Sequence, residues 1–139
     1  MPIRVILVTP ERILCEQTAS YVQLPAHDGY MGFLPGHAPL ISLAGDGVLT
    51  CRTENNSDTL FSVMGGYFEI HQNVLTILAD RSERADEINI DRAIKARDRA
   101  LNRLNEDTPG KWDLDRAKAS LLRALSRIQT VNRYRSSGS

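Results

Sequence analysis

Aromatic residues and long apolar runs are scarce in this sequence, and each shortage excludes a class of protein. Aromatic side chains make up only 6% of its 139 residues, and they do not form the interleaved aromatic and basic stacking surface of single-stranded nucleic-acid binders. The longest apolar runs, such as Val5–Val8, are far shorter than the roughly 20 residues of a membrane-spanning helix. The sequence therefore predicts no nucleic-acid partner and no membrane contact of the chain's own.

Cysteines are also few, and their positions indicate no shared site. Cys15 and Cys51 lie in separate strand-like segments without metal-ligand spacing. We expect both thiols to be reduced and partly buried. The first residues run directly into a strand-like segment, so we expect no secretory signal.

Motifs that carry chemistry are missing as well. The chain has no Gly-x-Ser-x-Gly sequence and no Gly-rich loop ending in Lys-Ser or Lys-Thr. No two of its three histidines are spaced as ligands on one element, which argues against a zinc or iron site. The sequence predicts no catalytic residues and no metal, and a protein that is not an enzyme. The alternative of a small enzyme with a β-barrel pocket lacks an acid–base pair.

Charge of one sign is missing from the end of the chain. Between Arg116 and Arg135 there are six cations and no acid, whereas residues 1–85 hold nine acidic and five basic side chains. Such an asymmetry indicates two parts with different partners. A nucleic-acid-binding barrel with a basic arm is an alternative, but the net acidic first part argues against it.

The first 85 residues show the pattern of short strands separated by turns, with no helical period between them. We therefore predict an antiparallel β-sandwich or flattened barrel for residues 1–85. The double glycine Gly65–Gly66 is predicted to break one strand from the next. Gly29–Leu40 contains two X-Pro steps and three glycines, and it predicts an ordered loop. The predicted strands are 3–8, 21–24, 40–43, 48–52, 60–63, 67–70 and 74–78.

The hydrophobic period changes from two to 3.6 residues near Asp86. An interruption at Asn105–Gly110 separates two helical patterns, so we predict an antiparallel two-helix hairpin within residues 86–139 and hence an α+β fold. The apolar stripes are expected to be the packing faces of these helices. Their members are Ile90, Ala93, Ile94, Leu101 and Leu104 in the first helix and Leu114, Ala117, Leu121, Leu122, Leu125, Ile128 and Val131 in the second.

Four motifs in order carry a resemblance to a known family. The run Leu34-Pro-Gly-His-Ala-Pro39 is similar to the signature loop of the epsilon subunits of F-type ATP synthases. Gly45–Leu49, Gly65–Tyr67 and Val74–Asp80 resemble the next three family segments in register. The resemblance covers the whole chain, because a helical hairpin follows the sheet in that family too.

The resemblance implies a non-catalytic rotor subunit that couples rotation of the gamma subunit and the c-ring to ATP synthesis. Carried over by position, Asp28, Tyr30 and Met31 would face the c-ring, and His37 would lie near the gamma contact. The residues themselves also favour a loop-fixing role for His37, with one or both ring nitrogens hydrogen-bonded. Some family members carry an acid at the place of Tyr30.

For the hairpin, the resemblance implies inhibition of ATP hydrolysis through contacts with the alpha and beta subunits. Arg116, Arg123 and Arg127 are the candidate inhibitory residues. Whether the helices lie folded or extended at rest is left open. The implied location is peripheral, at the cytoplasmic face of a bacterial plasma membrane and in contact with it only through the complex, with the plastid thylakoid membrane as the alternative.

Some family members bind ATP through a run at the start of the first helix. The matching residues here begin at Ile88, and Arg92 is in place, but Asn89 stands where the family pattern has an acid. Ile88, Asp91 and Arg92 are therefore the candidate ATP-binding residues. ATP is considered only as a regulatory ligand, and no other cofactor is expected.

Overall fold

A computed structural model describes residues 1–105 and 113–136, so most of the predicted interruption at Asn105–Gly110 lies outside the described residues. Eight strands precede two helices, and the predicted α+β fold is confirmed. The strands are β1 (Ile3–Val8), β2 (Ile13–Ala19), β3 (Tyr21–Ala26), β4 (Gly29–Phe33), β5 (Leu40–Leu43), β6 (Asp46–Arg52), β7 (Asp58–His71) and β8 (Val74–Arg84). The helices are α1 (Ile90–Leu104) and α2 (Leu114–Ser136).

The eight strands form one sheet that does not close into a barrel. The order is β2-β1-β8-β7-β6-β3-β4, and β5 pairs with β7 beside β6. Every neighbouring pair is antiparallel except β1 and β8, which are parallel. The expectation of a wholly antiparallel sheet is wrong at this pair. Hydrophobic alternation fixes which face of a strand is buried, but it carries no information about the direction of the neighbouring strand.

Strand β7 shows that the double glycine bends the chain without breaking the strand. Gly65 and Gly66 have φ angles of +71° and +111°, and β7 continues through them from its pairing with β6 to its pairing with β5. A Cβ atom on Gly66 would lie 2.0 Å from the carbonyl oxygen of Leu78. The predicted strand break is therefore wrong, and glycine is needed there for backbone conformation and close approach.

Two further differences from the predicted strands lie at the borders of the sheet. Strand β2 was predicted only as a strand-like segment around Cys15, without bounds, and β4 takes the first five residues of the segment 29–40 that was predicted as a loop. Among the described residues β4 pairs only with β3, so one of its edges is unpaired there. The loop itself is thus shorter, running from residue 34 to residue 39.

The main core lies within the sheet. Its largest fully buried side chains include Phe33, Phe61 and Phe68, and within residues 1–105 and 113–136 its members run from Ile3 to Ala79. Both cysteines are free, and they are more completely buried than predicted.

The helices pack against each other through alanines, and α2 also lies on β6 and β7. The buried residues of α1 are Ala93 and Ala100, whereas Leu101 in α1 and Leu122 in α2 are exposed. The prediction that the apolar stripes are packing faces is therefore wrong for four of their six leucines, whereas Leu104 and Leu121 are half-buried. Small side chains let the two backbones approach closely, which leaves the longer ones outside the contact. The exposed leucines of the predicted stripes are Leu101, Leu114, Leu122 and Leu125.

Candidate functional site: two partner surfaces and a basic cavity

The loop at residues 34–39 is fixed from both sides. Gly36 has a φ angle of +87°, and its N–H donates to Oδ1 of Asn73 at 2.7 Å, which ties the loop to the turn between β7 and β8. The ring of His37 packs edge-on against Phe33, with 4.8 Å between centroids. Its Nδ1 lies 2.7 Å from the carbonyl oxygen of Ala38. These contacts agree with the loop-fixing interpretation of His37.

The three residues expected to face the c-ring have different surroundings. Asp28 is exposed in the turn between β3 and β4, and Tyr30 is 43% exposed on β4. Met31 is half-buried and packs against the main core. Asp28 and Tyr30 are therefore more available to a partner than Met31.

Tyr30 joins three elements. Its hydroxyl accepts a hydrogen bond from the backbone N–H of Val48 in β6 at 2.9 Å. The guanidinium carbon of Arg133 in α2 lies 5.9 Å from the centroid of its ring, within the range of a cation–π contact. The resemblance did not imply this link to the second helix.

An exposed apolar patch lies on the outer face of β5, β7 and β8, and the sequence analysis missed it. Leu43 pairs with Tyr67, and Tyr67 pairs with Leu78, so the three side chains share one face. Ile41 lies on the same face, two residues before Leu43. The exposed fractions of these four residues range from 45% to 69%. One signal was present: the consecutive apolar residues Ile77 and Leu78 must point to opposite faces of a strand.

A basic cavity of about 250 Å³ lies where the end of β8 meets the two helices. Of the candidate ATP-binding residues, Arg92 lines the cavity, whereas Ile88 and Asp91 do not. The Asn89 side chain caps α1 by accepting from the Arg92 N–H at 3.1 Å. Glu83 and Arg99 were not predicted as site residues, because they lie outside the matched run. The lining residues are Glu83, Glu87, Asn89, Arg92, Ala93, Ala96, Arg99 and Arg127.

The three candidate inhibitory arginines differ in their environments. Arg127 forms an ion pair with Glu83 of β8, and Arg116 is exposed. Burial, together with the neighbouring positive charges of Arg81 and Arg127, lowers the pKa of Arg123. Among them, Arg127 therefore holds α2 against the sheet in this folded arrangement.

The contact of α2 with the sheet also includes buried hydroxyl groups. Oγ of Ser126 donates to the carbonyl oxygen of Gly47 at 3.2 Å, and Oγ1 of Thr130 donates to the Ser126 carbonyl at 2.7 Å. Tyr134 packs against a small cluster that consists of Val48, Leu60 and Ala85.

Both parts of the chain match models of known protein families. Residues 2–85 match the model of the ATP synthase delta/epsilon chain, beta-sandwich domain. Residues 86–132 match the model of its long alpha-helix domain. The chain belongs to the ATP synthase delta/epsilon chain family. The resemblance inferred from the signature loop is thereby confirmed.

Individual members and solved structures agree with this membership. The ATP synthase epsilon chain of Moorella thermoacetica is 42% identical over 125 residues, covering 90% of this chain and 92% of that one. A structure of the Euglena gracilis mitochondrial ATP synthase (OSCP/F1/c-ring) matches with a TM-score of 0.71 at 15% identity, over 98% of this chain and 81% of that one. A structure of the central stalk/c-ring of the Tetrahymena thermophila mitochondrial ATP synthase matches with a TM-score of 0.56 at 16% identity, over 96% of both chains. At such low identity the two structures support the fold alone.

Two further features concern residues 1–105 and 113–136 of this family member. Neither of its helices is at once long enough and apolar enough to span a membrane. The same residues contain no cluster of three histidine, cysteine or acidic side chains that could hold a metal ion.

Proposed function

We propose that this chain is a non-catalytic rotor subunit of a proton-translocating F-type ATP synthase. In this role it joins the gamma subunit to the c-ring, and it is a peripheral component at the cytoplasmic face of a bacterial plasma membrane. Family membership and the epsilon chain of Moorella thermoacetica support the assignment. The observation that carries it furthest is the exposed apolar patch beside the fixed loop.

The patch is suited to a permanent protein partner. Ile41, Leu43, Tyr67 and Leu78 expose apolar side chains on three neighbouring strands, and contiguous patches of this kind mark protein interfaces. The loop at residues 34–39 leads directly into β5, which carries Ile41 and Leu43. We assign this face to the gamma subunit, with His37 and its loop at the border of the contact.

Charge substitutions in the patch test this assignment. Tyr67→Asp and Leu78→Asp should remove retention of the chain by tagged gamma, because a carboxylate would be desolvated in an apolar contact. Leu101→Asp is the matched control, since Leu101 is also exposed but lies on α1, outside the sheet. If both patch variants copurify with gamma as well as the control does, the patch is not the gamma surface.

The edge formed by the turn at Asp28 and by Tyr30 is assigned to the c-ring. Both side chains are exposed, and β4 has an unpaired edge. A photocrosslinking residue at position 28 should capture the c subunit in purified enzyme, and one at position 54, which is exposed between β6 and β7, should not. Capture of gamma alone from position 28 would reverse the assignment of the two surfaces.

The hairpin is proposed to inhibit ATP hydrolysis when α2 leaves the sheet and meets the alpha and beta subunits. In the folded arrangement Arg127 is paired with Glu83, so it is not available to another acid. Release is therefore a precondition of inhibition through Arg127. Arg116 and Arg123 belong to the same basic helix and are assigned to the same contact.

Two variants separate release from inhibition. Glu83→Gln breaks the ion pair without changing α2, so it should increase inhibition of ATP hydrolysis in the assembled enzyme. Arg127→Gln breaks the same pair but also removes the inhibitory cation, so it should not increase inhibition. Equal hydrolysis rates in the two variants would contradict the proposed role of Arg127.

A second candidate function is binding of a nucleotide polyphosphate in the basic cavity. Arg92, Arg99 and Arg127 line one cavity and come from both helices, which suits the several oxygens of a phosphate chain. Two carboxylates in the same lining, Glu83 and Glu87, limit its net charge. ATP is therefore proposed as a regulatory ligand.

Calorimetric titration with ATP tests the cavity. Arg99→Gln should weaken binding at least tenfold, whereas Arg97→Gln, which changes a residue outside the lining that pairs with Asp98, should not. No heat of binding in the parent chain at millimolar ATP would exclude this function.

A further inference from the structure

Tyr30 and α2 meet at a single peptide group of β6. The N–H of that group belongs to Val48 and donates to the Tyr30 hydroxyl at 2.9 Å. Its carbonyl belongs to Gly47 and accepts from Oγ of Ser126 in α2 at 3.2 Å. One peptide unit is therefore held by the exposed edge strand β4 and by the helix.

The residue at position 47 makes this arrangement sterically possible. A Cβ atom on Gly47 would lie 2.4 Å from the Tyr30 hydroxyl and 3.0 Å from Cβ of Pro25. The absence of a side chain allows the tyrosine hydroxyl to reach the backbone of β6.

A second contact joins Tyr30 to the end of the same helix. The guanidinium of Arg133 lies over the Tyr30 ring, and the next residue, Tyr134, packs against Val48 and its neighbours. The last two turns of α2 therefore rest on Tyr30 from one side and on the sheet from the other.

We propose that Tyr30 is the anchor for the C-terminal end of α2, so that the exposed β4 edge regulates release of the hairpin. Docking of α2 places the Arg133 guanidinium over the Tyr30 ring. A partner that binds to the same face of this ring must displace Arg133. Binding at the β4 edge and docking of α2 are then in competition. By linkage, each weakens the other by the same factor. The identity of the partner as the c-ring rests on the proposed function, but the anchor itself does not.

Hydrogen exchange of the isolated full-length chain tests the anchor. Arg133→Gln should speed exchange of the α2 amides between residues 117 and 131 by about two- to fivefold, the range expected for a cation–π contact at an exposed site. Arg135→Gln is the matched control, because Arg135 is exposed on the same turn. Exchange in β8 should stay the same in both variants. Equal α2 exchange in the two variants overturns the proposal.

The reciprocal variant shows whether Tyr30 is the partner of Arg133. Tyr30→Leu should speed α2 exchange at least as much as Arg133→Gln does, and the double variant should equal Tyr30→Leu alone. Additive effects of the two substitutions would mean that Arg133 acts through another residue, which overturns the assignment of Tyr30.

The competition is tested with the gamma–c-ring subcomplex of the same enzyme, without alpha and beta subunits. The Arg133→Gln chain should bind it about two- to fivefold more tightly than the Arg135→Gln chain, because its Tyr30 ring is free. Equal affinities overturn the competition. If the parent chain also fails to bind the gamma–c-ring subcomplex, the proposed function is refuted. The hydrogen-exchange test of the Tyr30 anchor does not depend on that outcome.

Discussion

At the scale of single residues, the signature loop depends on backbone geometry more than on side-chain chemistry. Gly36 combines a positive φ angle with a donated hydrogen bond to Asn73, and open space surrounds the position of its missing Cβ atom. The requirement for glycine there is thus conformational and not steric.

We therefore expect Gly36→Val to lower the free energy of unfolding by about 1–3 kcal/mol, because a β-branched residue is strained at this φ angle. Gly36→Asn should cost less, since asparagine tolerates the left-handed region better than other side chains. Urea denaturation of the two variants measures the difference. An equal loss of unfolding free energy in Gly36→Val and Gly36→Asn would show that steric crowding, and not the φ angle, requires glycine.

Cys51 is a second residue with a measurable consequence. Its side chain is fully buried, and burial raises the pKa of the thiol above its ordinary value near 9.0. Above that pH the unfolded chain loses the thiol proton while the folded chain keeps it. The thiol's contribution to stability is therefore complete below pH 9 and is lost as the pH rises further.

Stability of the parent chain should consequently fall more steeply above about pH 9 than that of Cys51→Ala, by up to about 1.4 kcal/mol per pH unit. The cavity left by the alanine substitution lowers the free energy of unfolding by the same amount at every pH. The comparison therefore uses only the slope of the free energy of unfolding against pH. Guanidinium denaturation between pH 8 and pH 10 provides the measurement. Parallel curves would contradict a buried, protonated thiol.

At the scale of elements, α2 rests on the sheet through small and hydroxyl-bearing residues. Ser126 and Thr130 are buried there, while Leu122 and Leu125 of the same helix are exposed. Such a contact buries little apolar area per residue, and burial contributes only about 25 cal/mol per Å². Docking of the helix is thus held by a few specific contacts, which suits a reversible arrangement.

Removal of one such contact should loosen α2 without unfolding the sheet. Ser126→Ala leaves the Gly47 carbonyl without its side-chain donor and should cost about 0.5–1.5 kcal/mol of docking free energy. Ser136→Ala, on an exposed residue of the same helix, is the control. We expect amide exchange in α2 to be faster in Ser126→Ala and unchanged in Ser136→Ala. Equal exchange in the two variants would mean that the buried hydroxyl does not stabilise docking.

At the scale of the whole molecule, the sheet has a core of its own. The main cluster of buried residues ends at Ala79, and the smaller cluster that meets Tyr134 consists of Val48, Leu60 and Ala85. The strands therefore do not need the helices for their central packing. The helices, by contrast, bury mainly alanine against each other.

A chain that ends after Glu87 should fold into the same sheet with reduced stability. It keeps the Ala85–Glu87 turn but exposes Val48 and Leu60, which lose the cover of Tyr134. A cooperative thermal transition at a lower temperature than in the full chain, with a retained β-type circular dichroism spectrum, is expected. Loss of cooperativity would show that α2 is part of the folding unit.

The sequence by itself determined the class of each part, because local patterns carry that information. Period-two runs such as Tyr21–Leu24 and the 3.6-residue period after Asp86 distinguish strands from helices without reference to neighbours. The segment 29–40 was predicted as an ordered loop from its prolines and glycines, and His37 was predicted to fix it. The family resemblance followed from motifs in the same linear order.

Tertiary structure alone decided which surfaces are exposed to solvent and which residues distant in sequence are in contact. The parallel pairing of β1 with β8 and the continuity of β7 through Gly65 depend on strand partners distant in sequence, which no local pattern specifies. For the same reason the exposed leucines of α2 (Leu114, Leu122 and Leu125) could not be placed on the solvent side before its packing on alanines was known. The contact between Tyr30 and Arg133 joins residues more than 100 positions apart. Only the folded chain brings such pairs together, because side-chain contacts depend on where whole elements pack and not on the local period that forms them.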